Sequence, residues 1–210
     1  MTTAVLEAPI SEAPVLEAPV LAVTALEAAD IPRKLWTRTK YRQLIQDGYL
    51  EDGTVELVNG EIWQKMGQGR RHTIVVMWLI RALAPIFGFE RLQSQSSLPV
   101  NEYSEPEPDL AVLAERLEQY LEQDPTPADT LLAIEASNTT LRADMTVKQL
   151  MYARSGIPEY WVVDIPNRLL HVFRGPTETG YASETLLIPE DEVRPLAAPD
   201  AAVRVSDLLP

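Results

Sequence analysis

Asp109, Glu135 and Lys148 are the three residues of this sequence whose types and spacing could do chemistry. Pro108 pushes the backbone before Asp109 out of helix, and the apolar run Leu110-Ala111-Val112-Leu113 follows, so this acid stands at the head of a buried strand. Glu135 directly continues a second apolar run, Leu131-Leu132-Ala133-Ile134. Burying an unpaired carboxylate there costs several kcal/mol, on the order expected for any uncompensated charge, so a cation must answer it. Lys148 follows on a short amphipathic segment. Two carboxylates on adjacent strands can hold a hard divalent cation through oxygen, and Mg2+ needs only one or two of them beside substrate phosphate. Such an ion polarises a phosphate and acidifies a bound water, and a nearby ammonium orients that water and steadies developing negative charge. The chemistry is metal-assisted phosphodiester hydrolysis. Each residue alone also has a plainer reading: Asp109 as a solvated acid at a loop–strand junction, Glu135 as a salt bridge to Arg142 or Arg154, and Lys148 as an i, i+4 partner of Asp144, itself a helix N-cap, worth a few tenths of a kcal/mol (about 0.2–0.5).

The elements that must position these residues can be read in chain order. Thr37 or Thr39 caps a helix to about Gln46, stopped by Asp47-Gly48. Thr54–Val58 and Glu61–Gln64 alternate across Asn59-Gly60, a strong hairpin signal. A second helix carries Val75, Val76, Leu79, Ile80 and Leu83 on one face and ends at Gly88. Gly67 and Gly69 ahead of it lack the Gly-Lys-Ser/Thr of a phosphate loop. Phe89–Gln95 and Ser97–Val100 read as strands, residues 114–124 as a short exposed helix. The unit from Leu131 to Asp164 then reads as strand, helix, Gly156 stop and strand, the length of a crossover between parallel strands. Tyr160 and Trp161 are expected in the core of that last strand. Leu169–Phe173 and Tyr181–Ile188 make two more strands around a turn at Gly175-Pro176, and the tail wraps the surface. The class is α/β (α+β), with one mixed central sheet flanked by helices.

Composition narrows the choice. The chain has 210 residues, room for one domain with a proper core, and no cysteine, which removes disulfides, thiolate catalysis and Cys-type zinc sites. With two histidines a His-rich metal centre is excluded. No apolar stretch is long enough to span a bilayer and no secretory signal pattern opens the chain, so a cytoplasmic location is expected. Residues 1–30 repeat Val-Leu-Glu-Ala-Pro, hold five acids and neither Lys nor Arg, and are expected to form a disordered acidic tail before a domain over 31–210. Net charge is −13, and 18 basic against 26 acidic residues remain without the tail. That argues against a general nucleic-acid-binding surface. Arg70, Arg71 and Arg81 are the candidates for phosphate contacts.

Pro108-Asp109-Leu110-Ala111-Val112, Ile134-Glu135-Ala136-Ser137, Asp144 with Lys148 and Tyr152, and Gly156-Ile157-Pro158-Glu159-Tyr160-Trp161-Val162-Val163-Asp164 together resemble the bacterial "putative restriction endonuclease" family of the PD-(D/E)xK nuclease superfamily. The resemblance extends to Glu56–Glu61, His72 and Ser104–Glu107, and covers roughly residues 35–175. It implies a restriction-endonuclease-like fold and a Mg2+ (or Mn2+) dependent endonuclease acting on DNA, with Asp109 and Glu135 as metal ligands and Lys148 as the base partner. Glu56 resembles the family's hairpin acid and would complete the metal shell, and Gln95 and Tyr152 would join the same cleft as substrate-binding residues. His72, beside Arg70 and Arg71 at a helix start, reads as structural or substrate-facing rather than as a ligand. The superfamily's lysine usually sits two residues after the acid, where this chain has Ser137, so Lys148 serves from the following helix. No organic cofactor is expected, and a homodimer suits cutting two strands. Two competitors share the sequence: a catalytically quiet nuclease-fold module with a binding or regulatory role, and an acidic scaffold that docks a partner through its tail.

Overall fold

Apolar runs with period two and period 3.6 alternate along the chain, and a computed structural model shows how they assemble; it describes residues 33–209. The tail expected over residues 1–30 lies outside the described residues. Thr37 caps α1 (Arg38–Gln46) by accepting from the Lys40 amide at 3.4 Å. The hairpin follows as β1 (Val55–Val58) and β2 (Glu61–Gln64). Asn59 and Gly60 turn it with φ of +50° and +79°, the left-handed pair a two-residue hairpin needs. At Gly60 any Cβ would come within 2.6 Å of the Leu35 Cβ, so only glycine fits. α2 (Arg70–Phe87) buries Val75, Val76, Leu79 and Leu83, with Ile80 half-buried, and Gly88 ends it.

The central sheet has six strands in chain order: β3 (Leu92–Gln93), β4 (Leu110–Leu113), β5 (Thr130–Ser137), β6 (Glu159–Asp164), β7 (Leu169–Thr177) and β8 (Gly180–Leu187). Every neighbouring pair is antiparallel except β5 and β6, which run parallel. Their connection is the expected crossover: α3 (Leu141–Ala143) passes into a π turn (Asp144–Lys148) and on into α4 (Gln149–Arg154). β6 is buried along its whole length because both faces are covered. Trp161 and Ile134 face a cluster with α2, while Tyr160, Val162 and Ala133 face one with Met151 and Tyr152 of α4. Tyr160 and Trp161 are thus both core residues, on opposite sides.

Several expectations are corrected. Ser97–Val100 is no strand, and β3 is only two residues long. The segment does run beside 104–108, with Gln95, Leu98 and Val100 amides donating to the Pro108, Pro106 and Ser104 carbonyls. Pro99, Pro106 and Pro108 have no N–H to return, so the ladder cannot close. Phe89–Arg91 and Leu117–Tyr120 are 3-10 turns. β5 runs two residues past Glu135, which places that acid inside the strand. The crossover helix starts at Leu141, so Asp144 lies within it and is no N-cap. β7 continues through Gly175-Pro176, and the turn falls at Glu178-Thr179. The tail is more than a wrap: β9 (Glu192–Val193) pairs with β10 (Val203–Arg204), and Val193, Val203, Val205, Leu208 and Leu209 complete the α2-side core. Among the described residues no helix is long and apolar enough to cross a membrane.

Candidate active site

Alternation along β5 sends Leu132, Ile134 and Ala136 into the α2-side core, and therefore sends Glu135 to the other face, under the crossover helix and the hairpin. Glu135 Oε1 accepts there from Lys148 Nζ at 3.1 Å and from the Tyr152 hydroxyl at 3.0 Å. Lys148 Nζ also contacts Glu56 Oε1 at 2.9 Å and Asp144 Oδ1 at 4.0 Å. The lysine is thus no surface member of an i, i+4 pair. Its nearest partners are carboxylates from β1 and β5, and Glu135 takes Lys148 as its cation, not Arg142 or Arg154.

The helix geometry explains the reach. Across the π turn the Asp144 carboxylate points inward, where Oδ2 accepts from the Ser137 and Thr140 hydroxyls, each at 2.6 Å. A π turn within a helix frequently marks a functional site, because the extra residue redirects side chains. Tyr152, one turn on, is wholly buried; it positions Glu135 through its hydroxyl and does not border the cleft.

Asp109 sits at the mouth of β4, beside β5. Its Oδ2 accepts from the Ala136 amide at 2.8 Å, and its Oδ1 lies 2.9 Å from His72 Nε2 and 3.4 Å from Gln95 Nε2. Gln95 holds a left-handed φ of +49°, a conformation that costs a non-glycine residue energy and is found where a side chain must be aimed. His72 is buried in the first turn of α2 with its Nδ1 unpartnered. Glu56 accepts at Oε2 from the Glu107 amide at 3.3 Å, and Glu107 pairs with Lys65. Glu56, Asp109, Glu135, Asp144, His72 and Lys148 are each less than one-tenth exposed, yet all line one cleft of about 850 Å³.

Charge is unbalanced in that cleft. Five carboxylates, those of Glu56, Glu107, Asp109, Glu135 and Asp144, face Lys65, Arg142, Lys148 and one imidazole. Burial pushes the Glu135 carboxyl well above its ordinary range; Lys148 opposes the shift, and Asp144, Asp109 and Glu56 add to it. Burial also raises Asp144, against the pull of Lys148, Ser137 and Thr140. For Lys148 burial acts downward, but the attraction of Glu135, Glu56 and Asp144 outweighs it and the ammonium is held above its usual value. A divalent cation would relieve the excess. Asp109 and Glu135 offer the hard oxygens such an ion takes, and each carboxylate keeps lone pairs beyond those its donors use. Among the described residues no three His, Asp, Glu or Cys side chains form a ready metal cage. Glu56 accepts from Lys148 and the Glu107 amide and keeps lone pairs in the same way, so the fit is to a sparsely ligated ion held by Asp109 and Glu135 with Glu56 beside them.

The structure therefore brings Asp109, Glu135, Lys148, Glu56, His72 and Gln95 to one place. Arg70 and Arg71 are exposed at the start of α2 and do not border the cleft. Arg81 is committed elsewhere: its guanidinium lies 4.5 Å from the Trp78 ring centroid and donates to the Asp207 carbonyl. The basic side chains that do border the cleft are Lys65, Arg142 and Lys148. Sequence reasoning missed Asp144 as a buried member of the site, with Ser137 and Thr140 as its donors. The two hydroxyl residues ahead of that acid were the available signal.

A mixed sheet with a parallel pair, its acids gathered at one cleft beneath a crossover helix, is a nuclease-type fold. A crystal structure described as a putative nuclease belonging to DUF820 from Anabaena variabilis ATCC 29413 superposes with a TM-score of 0.64, covering 82% of this chain and 96% of that one at 16% identity. The sequence of residues 39–206 matches the family described as Uma2, "Putative restriction endonuclease", and the chain belongs to that family. No curated protein matches it.

Proposed function

We propose that this protein is a Mg2+- or Mn2+-dependent endonuclease that hydrolyses phosphodiester bonds in DNA, built on the PD-(D/E)xK plan with its lysine moved to the crossover helix. The observation that carries the reading is the convergence of Asp109, Glu135 and Lys148, from three separate elements, on one cleft with an excess of negative charge. Asp109 and Glu135 would hold the ion, which when bound supplies Lewis-acid polarisation of the phosphate and a more acidic water. Lys148, held by Glu56, Glu135 and Asp144, presents a fixed positive charge where the attacking water and the developing phosphorane charge need one. The attraction of Glu135, Glu56 and Asp144 holds its ammonium above its usual value, which favours an orienting and stabilising role. His72 and Gln95 fix the rotamer of Asp109, and Tyr152 fixes that of Glu135. Two-strand cleavage would suit a homodimer.

Plasmid relaxation with Mg2+ or Mn2+ tests this. Asp109→Ala and Lys148→Ala should each lose roughly 10²-fold or more of the activity, the scale of removing one preorganised electrostatic group. Equal background from wild type and both variants would sink the enzyme reading. It would favour the second one, a catalytically quiet nuclease-fold module, which Ser137 at the usual lysine position and the net charge of −13 support.

A further inference from the structure

The cleft has a second half that the hydrolytic residues do not use. Trp63 is the cross-strand partner of Glu56 in the hairpin. Directly opposed residues leave a sheet on the same face with Cβ atoms about 5 Å apart, so the indole stands beside the carboxylate that holds Lys148. Trp63 is half-buried, packs against the core cluster of Val58 and Leu98, and borders the cleft together with Met66, Ala143 and Val147. Among the described residues no second ring stacks on it and no guanidinium covers it. Its N–H reaches only Glu61, at 3.5 Å. Met66, in the irregular connection to α2, is 62% exposed. An apolar shelf whose aromatic ring has no ring or guanidinium partner thus adjoins the charged end of the same cavity.

The electrostatics say what can lie there. Duplex DNA brings about one charge per 1.7 Å of axis and is gripped mainly by basic side chains. This chain carries −13, and of the basic residues bordering the cleft Lys65 is tied to Glu107 and Lys148 to its carboxylates, which leaves Arg142. A single strand brings half that charge, and stacking of its bases on an aromatic face adds affinity with little regard to sequence. A volume of about 850 Å³ is of the size that encloses a small ligand rather than a duplex groove.

We infer that Trp63 is the stacking platform for an unpaired base next to the scissile phosphate, and that the substrate is single-stranded or locally unpaired DNA. The inference rests on the nuclease reading and refines its substrate. The test is equilibrium binding of a labelled 15-nucleotide strand, the same strand with one abasic site walked along it, and its blunt duplex, with Ca2+ replacing Mg2+ and cleavage absent. Wild type should bind the strand at least tenfold more tightly than the duplex. Trp63→Ala should weaken strand binding roughly 5- to 100-fold while Trp63→Phe stays within about threefold, as expected for a stacking contact. One abasic position should weaken binding to wild type by a similar factor, a result that needs no variant to fold. Unchanged binding by Trp63→Ala, an abasic walk without effect, or a duplex bound as tightly as the strand would each overturn the inference. Trp63-dependent binding with no cleavage in Mg2+ or Mn2+ would remove the nuclease reading and keep Trp63 only as a platform for binding unpaired bases. Asp109-dependent cleavage with binding indifferent to Trp63 would do the reverse.

Discussion

Lys148 is the single ammonium among four buried carboxylates, and its removal leaves those charges uncompensated. Taking one partner from a buried ion pair costs about 3–5 kcal/mol, so Lys148→Ala should destabilise the metal-free protein by that amount in urea melts. Mn2+ should then restore more stability to the variant than it adds to wild type; a variant as stable as wild type would show that the lysine is not the site's counter-charge. Asp144 gives a pH test. Its folded pKa is raised above the unfolded value of about 3.9, chiefly by burial. The stability its carboxyl contributes is therefore complete below that value and is lost as pH rises through the folded pKa. Asparagine suffers no such loss, so the stability of Asp144→Asn relative to wild type should grow from pH 3 to pH 7 in thermal melts; a flat difference would contradict the assignment. At this scale much was legible in the sequence. An acid behind a proline, and an acid continuing an apolar strand, are local signals for Asp109 and Glu135. The grip of Glu56 on Lys148 was not legible, because the two residues lie far apart in the chain and only the docking of the hairpin beside α4 joins them.

The π turn over Asp144–Lys148 is the element on which the site depends. One residue more than an α-turn spans it, and both buried polar members of the helix lie at its ends. Deleting the exposed Thr146 would restore an α-helical path and shorten the Asp144 to Lys148 spacing from four to three. The variant should keep its far-UV helix signal yet lose at least tenfold of any metal-stimulated cleavage; wild-type cleavage would show that the turn is incidental. The hairpin, α1, α2 and the parallel pair could all be read because each is specified locally, by Asn-Gly, a threonine cap, a 3.6 period and crossover length. The sequence misled where an element depends on its neighbour. Ser97–Val100 has the residues of a strand but faces prolines that cannot return hydrogen bonds. Pro176 marks a turn in isolation, yet stays paired with Tyr181 within β7.

Across the whole molecule, the six-stranded sheet is covered on both faces, and the C-terminal segment supplies part of one cover. Sequence pattern gave the mixed sheet but not this closure, because Val203, Val205 and Leu208 are too widely spaced to announce a buried element. The single parallel pair has a kinetic consequence. β6, β7 and β8 are consecutive and antiparallel, joined by short turns, so their pairing involves little loop closure. Glu56 of β1 meets Lys148, and Asp109 meets the Ala136 amide of β5, only when segments distant in sequence dock, and distant contacts of this kind form slowly. The acidic cluster is therefore expected to close after the rate-limiting step of folding. Interactions absent from that transition state act on escape from the native state. In stopped-flow chevrons Mn2+ should slow unfolding and leave the refolding limb in place; a refolding limb that accelerates with metal would put the cluster in the nucleus. The proposed cation would then also act as a latch, lengthening the lifetime of the native state without hastening its formation.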